Sequence, residues 1–362
     1  MTVRVLHITA TPSWQLDPLI QQLTRLEAHD VETMLVNRHA VLLQHDPDTS
    51  GVYEAAANDP SEERLLRRLM RISDSFDPDV IHVEDPHDPE LALVCRALAG
   101  YPVSRVFEVR RSAPLPDYVE ALMPSAVIVP SPELRREHQA LRSDASSFHL
   151  VADTCVHPGS LNPGKVRQHD LIGHRPLVVC DGSRAFGDDL YAVKLASHLT
   201  SRDPAVVVAL WIAEAFRPQL RRAARRLGVT DSQLLFFSPE NGPELDDLLG
   251  AADLALSYGG DDPWIGCIPF CLRALAAGTP IMTEFQCWVT DTVRAAGAGA
   301  FLDQDLTWAA LEVCRNLRNP VWRTEAGRRA RGLASHHAFD HMRADASLID
   351  AYRAAAGVEK AA

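Results

Sequence analysis

The sequence contains no run of about 18 uncharged apolar residues, which is the minimum that a membrane-spanning helix requires. Its first eight residues, MTVRVLHI, lack the basic start and apolar core of a signal peptide and are typical of a strand. Positive charge is also scarce: 36 Lys and Arg against 48 Asp and Glu give a formal net charge of −12. Nucleic-acid-binding proteins usually present basic surfaces. We therefore expect a cytoplasmic protein with no integral membrane segment and no nucleic-acid partner.

The cysteines form neither a disulfide framework nor a zinc motif. There are seven, an odd number, and no two are spaced as CxxC. Cys267 and Cys271 are four residues apart and could share a helix face, but without a second pair they make a poor metal site. This pattern favours buried thiols in a reducing compartment.

Apolar, β-branched segments alternate with amphipathic segments of helical period along most of the chain. The strand-like segments are residues 3–8, 31–36, 79–83, 105–109, 126–129, 176–180, 205–210, 234–237, 254–257 and 280–283. Strands alternating with helices predict an α/β fold with parallel sheets covered on both faces.

A segment rich in proline and glycine, residues 156–167, divides this pattern into two cycles. We predict two Rossmann-like, doubly wound domains, residues 1–160 and 168–335. Ligands of such sheets bind beyond the carboxyl ends of the strands, so a cleft between the domains is the expected site.

Several segments, in order along the chain, resemble the retaining GT-B glycosyltransferases of the large bacterial family 4. These are DVIHVEDPH at 79–87, FEVR at 107–110, AVIVPS at 126–131, FFSP at 236–239 and LRALAAGTPI at 272–281. The segment at 338–353 is similar to the final helix of that family, which implies that residues 339–356 pack back on the first domain.

The resemblance implies a function. Such enzymes move a sugar from a nucleoside-diphosphate sugar to an acceptor with retention of configuration, and they use no catalytic metal. The only cofactor-like molecule is the nucleotide sugar itself, a co-substrate held by the second domain. The acceptor, a small molecule, glycan or peptide, binds the first.

Two departures from the family pattern affect the donor site. The family's pair of glutamates, spaced E-x7-E, falls on Ile265 and Arg273, and arginine only donates hydrogen bonds. The Arg and Lys that clamp the donor diphosphate should follow Gly182, where this sequence has Arg184 and no Lys. Arg273 either points at a phosphate or an acidic sugar, or pairs with a carboxylate such as Glu284.

The remaining candidates are assigned from these positions. The loop before the helix at 269–277 is a helix N-terminus suited to phosphate, because free N–H groups and the helix dipole face the ligand there. The predicted donor-binding residues are Gly182, Arg184, Ser238, Pro239, Asn241, Asp262, Gly266, Ile268 and Arg273. The predicted catalytic residues are Asp85, His87 and Arg110, the last at the position of a frequent catalytic histidine in the family.

The sequence permits four alternatives, the first of which we set aside. His82 and Glu84 alternate on one strand face and permit a metal interpretation, which we set aside because the resembled family needs no metal. The lost glutamate pair permits a non-catalytic GT-B protein that binds a nucleotide sugar or a partner transferase, and a sugar-nucleotide epimerase is a third class. Arginine-rich helix faces, such as the one within residues 217–226, leave open a peripheral membrane contact.

Overall fold

The structure, a computed structural model, describes residues 2–9, 17–37, 41–44, 52–54, 70–84, Leu91, 101–110, 124–141, 147–151, 161–181, 191–212, 214–238, 242–258, 267–335 and 341–357. The chain forms two compact units, Met1–Ala152 together with Met342–Ala362, and Asp153–His341. Within the described residues, no helix has both the length and the apolar character needed to cross a bilayer.

Strands and helices alternate along both units. The strands are β1 Val3–Thr9, β2 Val31–Asn37, β3 Val41–Gln44, β4 Val52–Glu54, β5 Val80–Glu84, β6 Ser104–Glu108, β7 Ala126–Val129, β8 Ser147–Leu150, β9 Leu177–Asp181, β10 Val207–Trp211, β11 Leu234–Phe237, β12 Leu254–Ser257, β13 Ile281–Thr283 and β14 Gly299–Phe301. The labelled helices are α1 Asp17–Glu27, α2 Pro132–Leu141, α3 Pro163–Arg167, α4 Tyr191–Arg202, α5 Arg217–Arg226, α6 Leu245–Ala251, α7 Cys267–Ala277, α8 Trp288–Ala295, α9 Leu306–Leu317, α10 Pro320–Ala334 and α11 His341–Ala355.

The first unit contains one sheet in the order β4-β3-β2-β1-β5-β6-β7-β8. All neighbours from β2 to β8 pair in parallel, whereas β3 and β4 add an antiparallel pair at one edge. The strand order reverses direction between β1 and β5, which makes their carboxyl ends the switch point of this sheet.

The helix α11 completes the core of the first unit although it lies at the other end of the chain. Its buried residues Leu348, Ile349 and Tyr352 pack in one apolar cluster with residues of β1, β5 and β7. Asp345 of the same helix forms an ion pair with Arg25 of α1, at 2.6 Å between Nε and Oδ2. The last helix is therefore part of the first unit.

The second unit contains a parallel sheet in the order β11-β10-β9-β12-β13-β14. Its strands β10 and β12, and β9 from Leu177 to Cys180, are buried, as expected of strands covered by helices on both faces. Here the order reverses between β9 and β12. Two separate parallel sheets flanked by helices confirm the predicted α/β fold with two Rossmann-like domains.

Part of the proline- and glycine-rich segment is helical and belongs to the second unit. Asn162 caps α3 by accepting a hydrogen bond from the Lys165 amide at 3.2 Å. At the other end of α3, the Arg167 guanidinium donates to Asp253, at 2.8 Å, and to the Ala251 carbonyl at 2.5 Å. These contacts tie α3 to the segment between α6 and β12, so the second unit begins earlier than the sequence pattern predicts.

Gly278 ends α7 in the left-handed conformation, with φ of +77°. A Cβ there would lie 2.2 Å from the Nε atom of Arg331. We expect Gly278→Ala to lower the free energy of unfolding by about 1–2 kcal/mol, through backbone strain and displacement of Arg331.

Gly332 is the matched control for this substitution. It lies inside α10 with nothing within 4 Å of an added Cβ. Gly332→Ala should therefore stabilise the protein by up to about 1 kcal/mol through helix propensity. Urea unfolding of the two variants should show shifts of opposite sign; shifts of the same sign would contradict the role given to the left-handed backbone.

Candidate functional site

Five polar side chains gather where β1, β5 and β6 end, at the switch point of the first sheet. We call this group the strand-end cluster: His7, Thr9, His82, Glu84 and Glu108. The parallel register brings them together, because His7 is opposite His82 and Glu84 is opposite Glu108. Side chains two residues apart on a strand point to the same face.

The cluster is almost closed to solvent. His7, Thr9 and His82 are 0–1% exposed, and the two glutamate side chains are 12% exposed. Burial of charge is costly unless the charge is paired. The contacts of the two carboxylates therefore determine what this cluster can do.

The Glu84 carboxylate accepts a short hydrogen bond from the Thr9 hydroxyl and lies 3.3 Å from His7 Nε2. Burial alone would raise its pKa, but His7 and the charge of Arg110 outweigh burial and lower the pKa from 4.5 to about 2. Glu84 is consequently an ionised hydrogen-bond acceptor at neutral pH.

The Glu108 carboxylate pairs with Arg110, whose Nη2 atom lies 2.5 Å from Oε1. Its other oxygen, Oε2, lies 3.5 Å from His82 Nε2. Burial acts to raise the pKa of Glu108, and Arg110 together with His82 overcomes this and lowers it. The guanidinium of Arg110 is 22% exposed, so it forms the solvent-facing side of this pair.

His82 is enclosed between the first strand and the last helix. Its ring lies 4.2 Å from that of His7, centroid to centroid, and its Nδ1 atom is 2.6 Å from the Tyr352 hydroxyl. Burial and then the neighbouring His7 lower the pKa of His82, which keeps its imidazole neutral. Burial, with Glu108 and Glu84 nearby, raises the pKa of Tyr352 well above its usual value, which keeps its hydroxyl protonated.

Of the three predicted catalytic residues, the structure places Arg110 beside the strand-end cluster. Asp85 and His87 lie outside the described residues. Sequence reasoning singled out His82 and Glu84 only as possible metal ligands and gave no role to the other members of the cluster or to Tyr352. A usable signal was present in β1 and β5, whose apolar runs both carry polar residues near their carboxyl ends.

In the second unit, the helix α7 begins at the switch point between β9 and β12. Cys267 donates through Sγ to the Tyr258 carbonyl at 3.1 Å, and its own carbonyl accepts from Ser257 at 3.4 Å. Cys267 and Ile268 are fully buried. These contacts hold the first turn of α7 against the end of β12, where the sequence predicts a diphosphate.

Two tyrosines stack at the same end of the second sheet. Tyr191, the first residue of α4, and Tyr258, just after β12, have ring centroids 4.9 Å apart and planes inclined by 30°. Burial, and next the neighbouring Glu284 carboxylate, raise the pKa of Tyr191 far above its usual value. Glu284 follows β13, so residues from the start of α4 and from just beyond β12 and β13 form one group.

Ser238 lies beyond β11 and is 1% exposed. Its hydroxyl donates to Glu214 at 3.4 Å, and Glu214 also pairs with Arg217 at 2.9 Å. This arrangement fixes the start of the loop at 238–241, which holds three of the predicted donor-binding residues. The next predicted residues of that loop, Pro239 and Asn241, lie outside the described residues.

Arg273 adopts the second of the two arrangements left open by the sequence. Its Nε atom lies 2.7 Å from Oδ1 of Asp246 in α6, and the two side chains are 27% and 29% exposed. The partner is therefore Asp246, one helix away, and the expectation that Glu284 would fill this role is corrected. The predicted donor-binding residues Gly182, Arg184, Asp262 and Gly266 lie outside the described residues.

No protein-family model matches the sequence, and no curated protein is significantly similar to it. Solved structures do match it over nearly the full length. Sucrose-phosphate synthase from Thermosynechococcus elongatus is 14% identical, with a TM-score of 0.74, and the match covers 97% of this chain and 98% of that one. Anabaena HepE in complex with UDP-glucose is also 14% identical, with a TM-score of 0.69 and coverage of 96% and 98%.

A third similar structure belongs to a different class of enzyme. UDP-GlcNAc 2-epimerase from Neisseria meningitidis, bound to UDP-GlcNAc, is 10% identical, with a TM-score of 0.64 and coverage of 96% and 99%. Identities this low establish the fold and nothing finer. The chain has the GT-B fold, and its similarity to family 4 in particular stays a prediction.

Proposed function

We propose that the protein is a glycosyltransferase that moves a sugar from a nucleoside-diphosphate sugar to an acceptor, with retention and without a metal. The observation that supports this most directly is the position of α7. This helix begins at the switch point of the second sheet, and its first turn is buried and held by hydrogen bonds. Helix N-termini at switch points favour phosphate groups. Structures of the same fold contain UDP-glucose and UDP-GlcNAc.

The acceptor is assigned to the strand-end cluster of the first unit. Glu84 and Glu108 are ionised acceptors of hydrogen bonds, and Arg110 adds donors in a planar fork. Such a set suits a hydroxyl-bearing acceptor. Arg110 stays a candidate catalytic residue together with Asp85 and His87.

Retaining transfer requires few protein groups beyond a donor site and an acceptor site. The bond between the sugar carbon and the donor phosphate oxygen breaks, the acceptor oxygen bonds to the same face of that carbon, and the acceptor proton passes to the departing phosphate. The protein contributes positioning and charge stabilisation. These demands can be met without the carboxylates that Ile265 and Arg273 replace.

A second candidate is a non-catalytic protein that binds a nucleotide sugar. The observation that favours it is the Arg273–Asp246 ion pair, because an arginine held by a neighbouring helix takes the place of the second glutamate of the family's E-x7-E pair. Such a protein would bind a nucleotide through the N-terminus of α7 and the loop at 238–241, which we propose flanks the base. Turnover, rather than binding, separates the two candidates.

Binding is tested by thermal unfolding with UDP, UDP-glucose, UDP-GlcNAc, ADP-glucose and GDP-mannose. A ligand at 100 times its dissociation constant adds about 2.7 kcal/mol to stability. We expect one of them to raise the unfolding midpoint of the second unit by roughly 5–10 °C. No shift with any of the five would contradict both candidates.

The predicted diphosphate contact gives this experiment a specific variant. Arg184→Ala should weaken binding by about 1.5–3 kcal/mol, the contribution of a hydrogen bond to a charged group. Arg225→Ala is the control, since that side chain of α5 is 66% exposed and pairs with Asp231, which lies beyond the end of the helix. Release of nucleotide that depends on an added small-molecule, glycan or peptide acceptor identifies a transferase, and a changed sugar without release identifies an epimerase.

A further inference from the structure

Four side chains connect the last helix to the solvent-facing end of the strand-end cluster. In order they are Tyr352, His82, Glu108 and Arg110, and we call them the tyrosine–arginine chain. The successive distances are 2.6 Å from the Tyr352 hydroxyl to His82 Nδ1, 3.5 Å from His82 Nε2 to Glu108 Oε2, and 2.5 Å from Glu108 Oε1 to Arg110 Nη2. Every contact lies within the first unit.

The His82–Glu108 link, at 3.5 Å, is a close contact longer than a normal hydrogen bond, and the placement of protons along the chain follows from charge. A neutral imidazole has one N–H and one lone pair, and Nε2 faces the carboxylate of Glu108. A lone pair there would be repelled, so Nε2 carries the proton and Nδ1 accepts from the Tyr352 hydroxyl. The tyrosine thus favours the tautomer that directs an N–H at Glu108.

The hydroxyl of Tyr352 is itself held firmly in place. Its ring is 0% exposed and packs in the core cluster of the first sheet. Arg353, the next residue of α11, donates to the His29 carbonyl at 3.2 Å. The first member of the chain is therefore rigid, and the last member faces solvent.

We propose that Tyr352 is a positioning residue: acting through His82 and Glu108, it orients the guanidinium of Arg110 for the ligand of the first unit. This inference rests on the proposed function in that Arg110 contacts the acceptor. It adds that the geometry of a strand-end site is controlled from the last helix. Removal of the Tyr352 hydroxyl from the core should then increase the mobility of the Arg110 guanidinium, which is three contacts away in the tyrosine–arginine chain.

A purely structural role for Tyr352 gives a different expectation. The hydroxyl would then only satisfy a buried His82 nitrogen, and its loss would lower stability without changing Arg110. Total stability cannot separate the two roles, since both predict a loss. The required measurement is made at Arg110.

The test is Tyr352→Phe, which keeps the ring and removes the hydroxyl, followed by NMR of the isotope-labelled full-length protein. We expect the His82 Nδ1 resonance to move to that of a nitrogen accepting no hydrogen bond. We also expect the Arg110 guanidinium N–H signals to average by faster rotation. Glu108→Gln removes the carboxylate charge next to Arg110 and should loosen the guanidinium further.

Asp345→Asn is the matched control. It weakens the docking of the same helix on α1 but touches no member of the tyrosine–arginine chain. Arg110 should stay as restricted in this variant as in the parent. The proposal is overturned by unchanged Arg110 signals in Tyr352→Phe or in Glu108→Gln, and equally by loosening in Asp345→Asn. Should Tyr352→Phe fail to fold, the tautomer of His82 in the parent protein, read from its ring nitrogen resonances, keeps the test decisive: a proton on Nδ1 instead of Nε2 would overturn the proposal.

Activity gives a separate result. Where transfer is observed, Tyr352→Phe should lower kcat/KM about 3- to 10-fold, as expected for one hydrogen bond, and Asp345→Asn should leave it within twofold. Absence of transfer in the parent would count against the proposed function alone. The NMR comparison would still decide whether Tyr352 positions Arg110.

Discussion

Glu84→Gln is expected to lower the free energy of unfolding of the first unit by roughly 3 kcal/mol at neutral pH. The carboxylate is nearly enclosed, and its pKa is lowered from 4.5 to about 2 by His7 and Arg110 acting against burial. A shift of this size corresponds to roughly 3 kcal/mol of stabilisation. Glutamine keeps the shape of the side chain but loses the charge that its neighbours stabilise.

The pH dependence has a definite sign. Because the folded pKa lies below the unfolded pKa, the contribution of Glu84 is complete above pH 4.5 and is lost as the pH falls toward 2. The stability difference between parent and variant should therefore shrink over this window. Hydrogen exchange of β5 amides reports the first unit specifically.

Glu32→Gln is the control for this prediction, because Glu32 lies in the same sheet on an exposed position of β2. We expect a change within about 0.5 kcal/mol, as for other surface substitutions. A difference between Glu84→Gln and its parent that stays constant from pH 7 to pH 2 would show that the charge of Glu84 contributes nothing to folding.

Asp253→Ala is expected to cost the second unit about 3 kcal/mol. The carboxylate pairs with Arg167 of α3 and Arg323 of α10, and it accepts from the Leu177 amide at the start of β9. Alanine would leave two partly buried guanidinium groups facing each other without their shared anion. Three hydrogen bonds to one carboxylate are lost together, and each contributes about 1 kcal/mol at this partial exposure.

The control is Asp246→Ala in the same unit, which breaks the ion pair with Arg273. Both side chains of that pair are more than a quarter exposed, so we expect a loss below about 1 kcal/mol. The loss of stability in Asp253→Asn should lie between the losses in the two alanine variants. Equal midpoints for the two alanine variants in urea unfolding would contradict the bridging role of Asp253.

The fold was largely predictable because both sheets follow simple local rules. Buried parallel strands are apolar throughout, and their segments at 126–129, 234–237 and 254–257 match the observed bounds. The edge pair β3 and β4 was missed, as were β8 and β14, which are short and polar or rich in small residues. Such edge strands depend on tertiary pairing rather than on local pattern.

The candidate sites were less predictable, for a physical reason. The partners in the strand-end cluster are distant in sequence: His7 and His82 meet through register, and Tyr352 reaches His82 from a helix 270 residues away. No spacing rule connects them. For Arg273, the sequence showed that hydrogen-bond acceptors were missing but could not reveal which carboxylate is nearby.

The position of α11 has a consequence for how the protein is made. The first unit is built from both ends of the chain, while the second lies wholly within Asp153–His341. During synthesis, the strands of the first unit leave the ribosome early. Their apolar face stays uncovered until Leu348, Ile349 and Tyr352 have been synthesised. The second unit can finish folding while its predecessor still has an open apolar face, so the order of completion reverses the order of synthesis.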